Sequence, residues 1–234
     1  MAEAKPDGRQ VRWQEHNEQR RQLIVDAAIA VLERQSPGDE VQVQAVADQA
    51  GLSRTVIYRH FEDRADLDRA VQRTICDRIG LVLLSALSVD GTPEEIIANV
   101  IEGFVRWTVR HPTLFWFADR DLADWGPSPI AEAMEQIASG VEDIINVVVA
   151  ALGARLSQND IAGLEPWVFA MIGGVFAGVR RWLGRPERNP EVDDFIAMMA
   201  EVVWVQINGM ALSRGINLPD LPVAELLTPL SGVE

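Results

Sequence analysis

A single cysteine, Cys76, stands among 234 residues, so no internal disulfide can form. The three histidines, His16, His60 and His111, are scattered, and no His or Cys spacing matches a metal site. No metal and no cofactor are expected. No stretch approaches the roughly 18 consecutive apolar residues needed to cross a bilayer. The segment Met1 to Gln22 is polar, without the apolar core of a signal peptide. The expected location is therefore the cytoplasm, with no membrane partner. A phosphate-cradling glycine loop and a nucleophile elbow are also missing, and His111 beside Pro112 reads as a helix-end residue. An enzyme acting on an apolar substrate is thus only a competing reading. Basic residues are few, 21 against 35 acidic ones for a net charge of −14, which taken alone argues against a nucleic-acid partner.

The distribution of charge reverses that argument. Residues 1–78 hold 12 basic residues against 14 acidic ones, whereas residues 79–234 hold 9 against 21. The first third is nearly neutral, and Arg9/Arg12, Arg20/Arg21 and Arg54/Arg59/Arg64 can form a local positive face on it. Solvated helix faces would carry the same residues, so charge alone leaves both readings open. With 48% apolar residues, the chain can bury a full core.

Apolar residues recur at helical spacing and nowhere at the alternating spacing of strands, which predicts an all-α fold. One amphipathic helix is expected over 14–35, with Leu23, Ala27 and Val31 along one stripe, ended by Ser36-Pro37-Gly38-Asp39. Two short helices follow, on Val43, Val46 and Ala47 and from Ser53 to about His60, with Gly51 at the turn. A fourth starts near Asp63. Further helices are expected at about 93–110, 112–118, 128–152, 158–184 and 191–214, separated by Pro and Gly breaks. This divides the chain into an arm (1–14), a three-helix domain (15–62), a connecting helix (63–87), a larger domain (88–218) and a tail (219–234).

Residues 41–61, VQVQAVADQAGLSRTVIYRHF, meet the requirements of a helix-turn-helix. Ala47 allows close helix crossing, Gly51 accepts positive φ, and Leu52 and Ile57 are spaced to enter the core. Arg54, Thr55, Tyr58 and Arg59 then share the opposite face, a mixture of guanidinium, hydroxyl and aromatic groups suited to base edges and phosphates. The run AGLSRTVIYRHFEDRADLDRAV, with the preceding RRQLIVDAAIAVLER, resembles the DNA-binding domain of the TetR (tetracycline repressor) family of bacterial regulators over roughly residues 15–75. The remainder resembles that family in length and helical pattern alone.

The resemblance implies a homodimeric, helix-turn-helix transcription regulator, in most such cases a repressor, that grips double-stranded operator DNA and responds to a small-molecule effector. It assigns phosphate contact to Tyr58 and His60, and it adds Arg64, which stands where the family often has a lysine, to the DNA-binding residues that set register. Arg54, Thr55, Arg59 and Val56 match the base-reading positions, with Gln44 assisting from the preceding helix. Ser53 is either a phosphate ligand or a simple helix cap, and His60 either a contact or a packing residue. The sequence departs from the family at Gln42, where a capping threonine or serine is usual, and at Thr55, which replaces a frequent glycine.

Six of the seven tryptophans lie beyond residue 100. Phe104, Trp107, Phe115, Trp116, Phe117, Trp125 and Trp167 are the candidate wall of an effector pocket, with core packing as the alternative for each. Asp119, Asp121 and Asp124 could favour a cationic guest or simply be solvated. Gly173, Gly174, Ala177 and Gly178 permit close helix contact at a cost in helix stability. With Phe195, Met199 and Val203 they are the candidate dimer interface, packing within one subunit being the alternative. The other function class is a ligand sensor or carrier with a vestigial DNA-binding domain.

Overall fold

The helical periods are realised as ten helices, and no strand occurs among the described residues of the computed structural model, which are 8–88, 90–120 and 128–227, with side chains from His16 to Leu226. In chain order they are α1 (Gly8–Leu32), α2 (Val43–Ala50), α3 (Arg54–His60), α4 (Arg64–Ala86) and α5 (Pro93–Arg110). There follow α6 (Pro112–Ala118), α7 (Pro129–Ala151), α8 (Gln158–Leu183), α9 (Val192–Leu212) and α10 (Val223–Leu227). Pro93 and Pro112 act as the expected breaks, each opening a helix where a missing N–H costs nothing; Pro129 opens another, and the Gly126-Pro127 break lies outside the described residues.

Two units emerge. The first holds the described residues up to Cys76 and those from His111 to Ile130. In it α1 packs on α2, α3 and α6. Ile24, Ile29 and Leu32 of α1, Val46 and Ala47 of α2, and Ile57 of α3 are fully buried, whereas Leu23 is 43% exposed. The α2 helix ends in a Schellman turn: the Leu52 amide donates to the Ala47 carbonyl, the Gly51 amide donates to Asp48, and Gly51 sits at φ 66°. A Cβ there would meet no atom within 4 Å, so the glycine serves the backbone angle rather than space.

Position in the chain assigns α6 to the larger domain, whereas it belongs to this unit for a physical reason. Leu114, Phe115, Phe117 and Ala118 are all buried, a short helix almost wholly apolar in its surroundings. At its start, Thr113 Oγ1 donates to the Gln35 carbonyl at 3.0 Å, and His111 Nδ1 lies 3.1 Å from Glu33 Oε1. At its end, the buried Gln72 of α4 donates through Nε2 to the carbonyls of Phe117 and Arg120, at 3.0 and 2.9 Å. These bonds satisfy carbonyls that a helix end leaves open.

The second unit takes Asp77–Arg110 and the chain from Ala131 onward. Its core gathers Ile101 and Val105 of α5, Met171, Val179 and Trp182 of α8, and Phe195, Ile196, Met199 and Val203 of α9. A smaller cluster joins Ala138 of α7 to Leu164 and Val168 of α8. The α8 helix opens on a reciprocal capping box between Ser157 and Asp160. Arg214, just past α9, reaches Asp160 at 2.7 Å, so the end of α9 lies at the beginning of α8. At the opposite end the rings of Trp182 and Phe195 stack at 4.4 Å, and Trp182 Nε1 donates to the Pro190 carbonyl at 2.9 Å. Helices α8 and α9 therefore form an antiparallel hairpin pinned at both ends.

By length and composition alone α8 and α9 are apolar enough to cross a membrane, and much of each lies unburied in the subunit. Isolated polar residues break both helices into short apolar runs while leaving them apolar on average, which is why no uninterrupted span of that length stands in the sequence. Both helices carry an inward and an outward apolar stripe. Replacing Trp182 by Phe keeps the stack but deletes the indole donor. The expected result is a loss of about 2 kcal/mol in unfolding free energy, read by urea denaturation.

Candidate nucleic-acid interface

Helix α3 buries one residue, Ile57, completely. Around it Arg54, Thr55 and Arg59 are exposed, Tyr58 is 42% exposed, and Val56 and His60 are half-buried. Positions 54, 55, 58 and 59 lie on one face by helical spacing, away from Ile57. A tyrosine, two arginines and a threonine presented outward from a helix with one apolar anchor form a surface for polar recognition. Ser53 occupies the N-cap position with extended backbone but makes no side-chain capping bond, leaving its exposed hydroxyl on the same surface. Gln44 is exposed on α2, its Nε2 donating to Asp48 Oδ1 at 2.7 Å.

Two arginines that the motif does not include complete the site. Arg21 of α1 donates to the His60 carbonyl at the end of α3, lies 4.1 Å over the Phe61 ring, and is 3.6 Å from Asp66 of α4. One guanidinium thus ties α1, the end of α3 and the start of α4 together. Arg20 adds charge beside it. The sequence signal for both was the RR pair at the head of the apolar period of α1, read there only as charge.

Burial holds the His60 imidazole below its ordinary pKa, and the charges of Arg20, Arg21, His16 and Arg59 add to the effect. Its Nδ1 is buried and has no hydrogen-bond partner among the described residues, so protonation there would place an N–H without an acceptor. His60 is a neutral ring in a concentration of positive charge. That concentration, on an acidic chain, is the potential a phosphodiester backbone needs.

Arg64 differs from its expected role. Its Nη1 donates to the Val41 carbonyl at 2.6 Å and its Nε to Asp68 at 2.8 Å, so the guanidinium braces the chain ahead of α2. Burial raises the Asp68 carboxyl above its ordinary pKa despite the bond from Arg64 and the nearby charge of Arg120. Gln42 makes no capping bond, in keeping with the missing threonine or serine.

The candidate effector wall splits. Phe115 and Phe117 are buried in the first unit, and Trp116 meets Phe115 edge-on at 5.7 Å. Phe104, Trp107 and Trp167 are half-buried in the second, where Phe104 stacks against Phe176 at 6.4 Å. Trp125, Asp121 and Asp124 lie outside the described residues. The candidate dimer residues also divide. Phe195, Met199 and Val203 are buried in the core of their own subunit, a Cβ on Gly178 would lie 3.4 Å from Met199, and one on Gly173 would lie 3.7 Å from Met134. Gly174 and Ala177 face outward, as do Met198, Val202 and Val205 of α9, at 44%, 45% and 59% exposure. Among the described residues no group of His, Cys, Asp or Glu is placed to hold a metal.

Residues 24–71, from the first buried positions of α1 into α4, match the model of the bacterial regulatory proteins of the tetR family. Over those residues the chain is similar to the tetR family. It is 27% identical over 215 residues to an uncharacterized HTH-type transcriptional regulator of Mycobacterium tuberculosis, covering 90% of this chain and 87% of that one. A tetR-family regulator from Streptomyces coelicolor has the same fold, with a TM-score of 0.63 at 20% identity over 92% of each chain. RolR, solved with its ligand resorcinol, matches with a TM-score of 0.60 at 18% identity over 89% of this chain and 99% of its own. The chain is a DNA-binding transcriptional regulator.

Because the folded pKa of His60 is lowered, its contribution to stability is complete above about pH 6.5 and is lost as pH falls through the folded pKa. His60→Gln should flatten the fall in denaturation midpoint below that pH, in a urea series at constant salt.

Proposed function

We propose that the protein is a homodimeric repressor that holds a palindromic operator through paired α3 helices and releases it when a small apolar or aromatic effector binds. The observation that carries the reading is the outward face of α3, where Arg54, Thr55, Tyr58 and Arg59 have no share in the core that Ile57 anchors. Arg54, Thr55 and Arg59, with Val56 toward thymine methyls and Gln44 from α2, read bases. Tyr58, His60 and Ser53 hold phosphates, while Arg64 supports α2 from behind. Two-fold symmetry places the two recognition helices on half-sites about one helical turn, or a multiple of it, apart.

The pairing surface is the outward stripe of the α8–α9 hairpin: Ala170, Gly174 and Ala177 on α8, with Met198, Val202, Val205 and Leu212 on α9. A Cβ on Gly174 would meet nothing within 4 Å in the subunit, leaving room for a second helix. A second copy laid across it makes a four-helix bundle and removes that apolar surface from water. The effector meets the half-buried aromatics of the second unit, Phe104, Phe176, Trp107 and Trp167. An aromatic guest such as the resorcinol held by RolR has the chemistry of that wall. A guest that prefers the conformation with wrongly spaced recognition helices would weaken operator binding by about 5- to 150-fold, a coupling of roughly 1–3 kcal/mol. The operator, bound first, weakens the guest by the same factor.

Selection from random duplex DNA at a stated salt concentration should recover a palindrome. Tyr58→Ala with Arg59→Ala should abolish binding to that duplex while leaving the helical content and the dimer unchanged. Recovery of no preferred sequence would overturn the reading in favour of a ligand sensor. Val205→Glu should convert the dimer to monomer in analytical ultracentrifugation and, with it, lower operator affinity at least tenfold, since each half-site then binds alone.

A further inference from the structure

Helix α2 begins without help from its own cap. Gln42 takes the N-cap backbone conformation at φ −77° and ψ 130° but supplies no side-chain bond to the first turn. An N-terminus left in that state has its first amides unsatisfied and its entry angle unfixed. The chain leading into it, residues 36–42, is held from outside at two carbonyls. Arg64 of α4 takes the carbonyl of Val41, and Arg120, just beyond α6, donates through Nη2 to the carbonyl of Asp39 at 3.1 Å. The Val41 side chain is buried, and the Asp39 carboxylate accepts from the Ser36 amide, so the segment is ordered around these two anchors.

Arg120 is itself fixed. Its carbonyl accepts from the buried Gln72, its guanidinium lies 5.4 Å over the Phe117 ring, and the carboxylate of Asp68, already bonded to Arg64, attracts it. Both Nε2 protons of Gln72 are spent on the carbonyls of Phe117 and Arg120, which sets the orientation of the amide and leaves Oε1 without a partner among the described residues. The arrangement is a rigid polar chain from the end of α6, through Arg120, to the backbone four residues ahead of the first residue of the uncapped helix.

We propose that Arg120 is a positioning residue of the DNA-binding surface: from the end of α6 it holds the Asp39 carbonyl and so sets where α2 begins, in place of the cap that Gln42 does not provide. Helix α2 carries Gln44 and packs on α3, so a displacement of residues 113–120 moves the start of the helix pair that meets DNA. The dependence is a consequence of Gln42. A self-capped α2 would keep its position with less need of the strut. The proposal rests on the reading of α2 and α3 as the operator-binding pair.

The test uses the full-length chain. Arg120→Met keeps the aliphatic stem over Phe117 and removes the donor, at a side chain exposed enough for the fold to survive, and Arg120→Lys restores a donor. Hydrogen exchange of the Val46–Gln49 amides, the first that α2 holds in hydrogen bonds, should be faster in the Met variant and largely restored in the Lys variant. This readout needs no DNA and so stands apart from any failure to find an operator. On the selected duplex, Arg120→Met should weaken binding about tenfold, the scale of one charge-assisted hydrogen bond. Gln42→Asn, which supplies a cap without adding charge, should recover more affinity in the Met background than it adds to the parent. Unchanged amide exchange in Arg120→Met, or equal effects of Gln42→Asn in both backgrounds, would overturn the assignment.

Discussion

A seven-residue helix does not hold itself together in water: it closes too few hydrogen bonds to offset the entropy of its nucleus. Helix α3 is that short, and nearly everything around it supplies from outside the order it lacks. Ile57 anchors it from below, the Schellman turn at Gly51 delivers the chain at a fixed angle, and Arg21 grips its final carbonyl. Helix α1 packs on α2, α3 and α6 alike. The half of α4 up to Cys76 and the buried α6 complete the shell, which is why the DNA-binding unit recruits a segment distant in sequence.

The parts of this arrangement that were legible in the sequence are those with a fixed period or a fixed backbone angle. The all-α fold, the helix boundaries at Pro93 and Pro112, the turn at Gly51 and the outward set at 54, 55, 58 and 59 follow from spacing. Period does not choose between two apolar faces of one helix. Helix α9 is apolar around most of its circumference, so Phe195, Met199 and Val203 and the stripe of Met198, Val202 and Val205 were equivalent until α5 was seen to pack on the first. The aromatic residues illustrate the same limit: proximity in sequence grouped Phe104 with Phe115 and Phe117, yet the break at His111 sends them to different units.

Long polar side chains were less legible still, since their reach exceeds any local pattern. Arg21, Arg64, Gln72 and Arg120 each bond to a backbone carbonyl at least 23 residues away. Nothing in composition distinguishes such a strut from a solvated surface arginine. The common element is the target: each carbonyl belongs to a helix end or to a loop, where the regular ladder leaves acceptors open. Arg64 is the clearest case, a basic residue placed by resemblance at the DNA surface and found bonded inward.

The separation of duties on α3 has a consequence for how such a regulator changes partners. Stability resides in Ile57 and in groups that act on the backbone of the helix, while the exposed side chains at 54, 55, 58 and 59 carry almost none of it. Mutations at those four positions can therefore rewrite the preferred DNA sequence without first passing through an unfolded intermediate genotype. A duplicated copy of this protein could drift to a new set of promoters by surface substitution alone, its architecture and its sensing half left intact.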